Sequence, residues 1–93
     1  MGKLVVRLKP GKVVLWSNTV DAPISPVLDR DGLVDHLVEH EEVTYEEAVA
    51  MVATAESHGT SDRDVPLSRV LGTNRAGPGE QRLGVDQIIE AYS

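Results

Sequence analysis

The sequence predicts an α+β fold, an N-terminal antiparallel β-hairpin packed against about three short helices, on three observations. Residues 3 to 16, Lys-Leu-Val-Val-Arg-Leu-Lys-Pro-Gly-Lys-Val-Val-Leu-Trp, are two β-prone runs joined at the turn residues Pro10-Gly11. Residues 29 to 58 carry apolar side chains at helical spacing behind two capping signals, and Val85, Ile88, Ile89 and Tyr92 repeat that spacing near residue 93. A chain of 93 residues makes one domain, here 1–93, and buries only about 60 to 65 percent of the surface its unfolded form exposes. Its core is therefore thin, and it has no cysteine to staple it.

The hairpin register decides which side chains share a face, because a slip of one residue sends each to the other side. With Pro10-Gly11 as a two-residue loop, Leu8 pairs with Val13, Val6 with Leu15 and Leu4 with Ser17. Leu4, Val6, Leu8, Val13 and Leu15 then form one apolar face, and Val5, Val14 and Trp16 lie on the other with Arg7, Lys9 and Lys12. The alternation favours this register. An L-proline at the first loop position suits type I or II turns better than the primed turns of tight hairpins. A longer, bulged loop is the alternative, and it places Val14 and Trp16 on the Val6 face.

Pro23 and Pro26 push the residues before them toward extended backbone and bar a helix across 17–28. Asp29 offers an N-cap with Asp31 in the first turn, and Leu33, Val34, Leu37 and Val38 form a stripe, which predicts a helix over 30–41. Thr44-Tyr-Glu-Glu47 fits a capping box. Tyr45, Ala48, Val49, Val52 and Ala55 recur on one face and Gly59 supplies the terminating glycine, so a second helix is predicted over 45–58. Residues 60–84 read as loop with a possible single turn around Leu67, Val70 and Leu71, and a C-terminal helix follows over 85–92.

Charge is unevenly spread. The net charge is −6: residues 1–28 are locally +3, 29–56 locally −8 and 57–93 locally −1. The acidic middle repels polyanions, so neither nucleic acid nor an anionic membrane is an expected partner. No apolar run approaches the roughly 20 residues of a bilayer-spanning helix, and no secretory signal is visible. The expectation is a cytoplasmic protein.

The motifs that could carry chemistry each have a plainer explanation. His36-Leu37-Val38-Glu39-His40 matches H-x-x-E-H, in which two histidines one turn apart hold zinc and the glutamate activates water. That chemistry needs a third ligand and a cleft, and these three side chains fall away from the Leu33/Leu37 stripe toward solvent or its flank. The carboxylates of 29–56 sit on helix exteriors, caps and loops, without the desolvated setting that acid/base catalysis uses. Gly72, Gly77 and Gly79 match no phosphate-binding spacing, and Ser17, Ser57, Ser61 and Ser68 lack a nucleophile context. His58 reads as a cation at a helix C-terminus. No catalytic, metal or cofactor site is therefore expected.

Trp16-Ser17, Val20-Asp21-Ala22-Pro23, an acidic helical middle, Gly59-Thr60-Ser61 and Asn74-Arg75-Ala76-Gly77-Pro78 together resemble a group of small uncharacterised proteins encoded by actinobacterial phages and prophages. The resemblance spans most of the chain. It implies an accessory phage product, an adaptor or host-factor modulator more readily than an enzyme. The expected function is a non-enzymatic protein-interaction module acting on a host protein. Its candidate surfaces are the acidic helices (Asp35, Glu39, Glu42, Glu46) and a Val5/Val14/Trp16 patch; for Trp16 itself core packing is the plainer reading and an interface anchor the alternative. A structural or assembly component of a phage particle is the alternative, and a metal hydrolase a more distant one. Two strands are rarely stable alone, so two-sided apolar content and an unprotected edge also predict a homodimer.

Overall fold

A computed structural model describes residues 2–93 and shows the hairpin at the centre of three layers. Strands β1 (Lys3–Lys9) and β2 (Lys12–Ser17) pair antiparallel, and a short β3 (Ala22–Pro23) adds to the far side of β2 in the order β1-β2-β3. Helices α1 (Arg30–His40) and α2 (Tyr45–His58) follow, then α3 (Leu67–Gly72), a 3-10 turn at Pro78–Glu80, and α4 (Val85–Tyr92). The three helices expected from periodicity are present within a residue of their predicted bounds. The possible turn at Leu67 is the six-residue α3.

The hairpin register is the bulged alternative, not the favoured one. Lys9 pairs with Lys12 across Pro10-Gly11, but the register then shifts between Arg7 and Lys9, so that Arg7 faces Val13, Val6 faces Val14, Val5 faces Leu15 and Leu4 faces Trp16. Gly11 has φ +77°, the sign that a type II turn with proline before it requires. A bulge strengthens local twist, which lets that turn join two twisted strands. As a consequence both faces of the sheet are apolar.

One face carries Val5, Val13 and Leu15 and packs on Leu33, Val34 and Leu37 of α1 and Ala48, Val52 and Ala55 of α2. The other carries Leu4, Val6, Leu8, Val14 and Trp16 and packs on Val70 of α3 and Ile88 of α4, with Leu67, Leu83 and Tyr92 around them. The expectation of helices on a single face is corrected accordingly: helices cover both. Full burial of each such side chain contributes about 1.5–3 kcal/mol, so the second face roughly doubles what so short a chain gains from one sheet.

The hairpin edges are covered as well. Along β1, Arg7 N–H donates to Gly59 O (2.8 Å), Ser61 N–H to Val5 O (2.9 Å), and Val5 N–H to Ser61 Oγ (2.8 Å). Along β2, beyond the β3 pairing, Ile24 N–H donates to Leu15 O (2.8 Å), Val13 and Leu28 exchange bonds of 2.8 and 2.9 Å, and Leu15 N–H donates to Ser25 Oγ (2.9 Å). Unpaired strand edges and an uncovered apolar face were the two grounds for a second copy. Both are met inside one chain.

Local signals fix the helix ends. Asp29 accepts from Gly32 N–H at 2.8 Å, and the Thr44/Glu47 box closes with two bonds of 3.1 Å. Helix α2 ends at Gly59, whose φ of +96° favours glycine and where a Cβ would lie 2.8 Å from Leu67 Cβ. Arg7 reaches from β1 to donate to Glu56 O in the last turn of α2 (2.7 Å). The loop before α4 is organised by Asn74, which is buried. Asn74 Nδ2 donates to Leu71 O and Leu83 O (2.6 and 2.9 Å), and its Oδ1 accepts from Leu83 N–H (2.8 Å).

Candidate interaction surface

The Arg30–Glu56 ion pair (2.9 Å) sets the start of α1 beside the end of α2, so the two helices run antiparallel. At the opposite end the 41–44 connector joins them. Of the acidic residues singled out from sequence, Glu39 lies in the last turn of α1, Glu42 in the connector and Glu46 in the first turn of α2, with Asp35 at the middle of α1, all exposed. Among the described residues no ion pair engages Asp35, Glu42 or Glu46, while Glu41 is held by Lys3 (2.7 Å) and Glu47 by its cap. Glu42 has φ +57°, a left-handed conformation that costs a non-glycine residue about 1–2 kcal/mol.

The apolar half of the expected surface is absent. Val5 and Val14 are 0 percent exposed and Trp16 1 percent, and they do not share a face: Val5 packs under α1 and α2, while Val14 and Trp16 pack under α3 and α4. The bulged register put them there. Sequence reasoning assigned Val38, Tyr45 and Val49 to the helix faces that pack inward, and these are instead open, at 38, 65 and 37 percent exposure. The signal was available in the spacing. Ala48, Val52 and Ala55 form the buried row of α2, and Tyr45, Val49 and Ala53 form a separate i, i+4 row one position round the helix.

At about 100° per residue, Arg30, Val34 and Val38 form the row of α1 nearest α2, and Asp31, Asp35 and Glu39 lie on its outer side. On α2, Val49, Ala53, Glu56 and Ser57 line a shallow groove together with Arg30 of α1 and with Arg7, Pro10 and Gly11 of the hairpin. Val38, Tyr45, Val49 and Ala53 are thus exposed on the same helical pair as Asp35, Glu39 and Glu46. An exposed tyrosine beside small apolar side chains is the composition of an interface anchor, because its ring contributes large contact area for few frozen torsions.

No protein-family model, curated protein or solved structure matches this chain.

The H-x-x-E-H side chains lie on α1 at the surface: the His36 and His40 rings are 4.6 Å apart between centroids, and His40 Nε2 lies 3.9 Å from Glu39 Oε2. Among the described residues no group of three or more His, Cys, Asp or Glu side chains is placed to hold a metal ion. Among the same residues, no helix is long and apolar enough to cross a membrane.

Proposed function

We propose that the protein is a non-enzymatic protein-interaction module, an accessory phage product that docks a cytoplasmic host protein on the α1–α2 face. The observation that carries this reading is that Tyr45, 65 percent exposed, stands on the same helical pair and connector that expose the carboxylates of Asp35, Glu39, Glu42 and Glu46. Long-range attraction from such a face speeds encounter with a basic surface and is screened by salt, while the tyrosine supplies short-range contact. The resemblance of Trp16-Ser17, Val20-Asp21-Ala22-Pro23 and Asn74-Arg75-Ala76-Gly77-Pro78 to small phage-encoded proteins supplies the setting.

Affinity capture from an actinobacterial host lysate tests the proposal, with the full chain and a neutralised variant (Asp35→Asn, Glu39→Gln, Glu42→Gln, Glu46→Gln) as baits at low and moderate salt. A stoichiometric host protein held by the wild type, weakened by salt and lost with the variant, is the expected result. Recovery of the same proteins by both baits would overturn the assignment of this face.

A further inference from the structure

We infer that the small pocket against the indole of Trp16 binds a short-chain carboxylate. The pocket lies between the turn after β2 and helix α3, with a volume of about 220 Å³, below the roughly 300–1,000 Å³ of sites for larger ligands. Val65 and Val70 line it with apolar surface, and Asn18, Asp21 and Arg69 line it with polar groups. An occupant therefore has a few heavy atoms, one apolar end and one polar end.

A donor inside the fold is aimed at this space. Trp16 is 1 percent exposed, and a tryptophan so completely covered ordinarily gives its N–H an acceptor. Among the described residues the Trp16 indole N–H has no acceptor in the protein, yet no side-chain nitrogen or oxygen is both unpaired and shut off from the surface. The N–H therefore opens where Trp16 lines the pocket.

Charge selects the ligand. Arg69 is exposed and, among the described residues, its guanidinium is in no ion pair. The one carboxylate lining the pocket, Asp21, has its own cation, with Arg75 Nε 3.9 Å from Asp21 Oδ2. The Thr73 hydroxyl beside them is spent on Arg69 O at 2.9 Å. A carboxylate meets this arrangement with two oxygens, one accepting from the indole N–H and the other from the planar Arg69 fork, while a short alkyl end covers Val65 and Val70. A phosphate dianion carries a second charge toward Asp21 and has no apolar end for those valines.

Trp16 is the sole tryptophan, so the protein has a single indole N–H resonance to follow. Titrating the isotope-labelled full chain with propionate at constant ionic strength is expected to move that resonance saturably, together with the amides of Asn18 and Arg69. Propionamide, which keeps the shape and lacks the charge, and inorganic phosphate are each expected to bind at least about tenfold more weakly. So is propionate to Arg69→Gln, a change at an exposed side chain that leaves the urea midpoint where it was.

Absence of a saturable indole shift means that the pocket holds water only and overturns the inference. Equal binding of propionamide, which is read on the wild type alone, overturns it too, as does equal binding of propionate to folded Arg69→Gln. Tighter binding of phosphate assigns the pocket to another anion and overturns the carboxylate. The pocket lies on the α3–α4 side of the sheet, so none of these outcomes bears on the docking face.

Discussion

Trp16 is among the most buried large residues of the fold, at 1 percent exposure, and Tyr45 is the most open large apolar one, at 65 percent. Trp16 takes the core role that was one of its two readings from sequence, whereas Tyr45 leaves the inward helix face expected of it. Trp16→Ala should therefore cost about 3–5 kcal/mol in urea unfolding, and Tyr45→Ala should stay within about 0.5 kcal/mol. Similar losses for both would contradict the assignment. Glu42 sits in the left-handed region at φ +57°, so Glu42→Gly should raise stability by about 1 kcal/mol, read as a higher urea midpoint at unchanged slope. Neither position was settled in sequence because residue type does not report burial. One bulge at Leu8 decides where Trp16 points, and the row to which Tyr45 belongs is settled by which side of α2 meets the sheet. Asn74 was equally opaque. In sequence it stands in a glycine-rich loop, and only closure of Leu71, Leu83 and Ala76 around it, the last donating its N–H to Asn74 Oδ1 at 3.3 Å, makes it a buried four-way staple.

The helices were legible because their signals are local. Asp29, the Thr44/Glu47 box and Gly59 act within one turn of their own backbone, and each forms the contact expected of it. Strand β3 and the edge pairings were not legible, since they are made by irregular backbone, close in sequence along β2 (Trp16 with Pro23) and distant along β1 (Val6 with Thr60). Ser25 shows the consequence. Its hydroxyl accepts from the buried Leu15 N–H at 2.9 Å where no ladder partner is available, and it passes its own hydrogen to Pro26 O at 2.9 Å. Ser25→Ala leaves that amide without a partner and should cost about 1–3 kcal/mol. Hydrogen exchange should show faster loss of protection at Leu15 than at Val6, whose ladder lies inside the hairpin. Uniform acceleration across the sheet would count against this local role.

At the scale of the whole molecule, the central hairpin is covered on both faces by helices and on both edges by the Gly59–Ser61 and Ala22–Leu28 segments. The α+β class was readable from composition and period. The three-layer arrangement was not, because it follows from the register. With those surfaces covered, light scattering at high micromolar concentration should give the mass of one chain, and a dimer mass would show that another surface associates. The exposed acidic side of the α1–α2 pair is the docking face proposed above. The most direct test is quantitative capture of host proteins by the wild type and by Tyr45→Ala, after unfolding curves have shown the two equally stable. The account predicts a partner retained by the wild type and reduced at least about tenfold with Tyr45→Ala; equal recovery of that partner by both would contradict it.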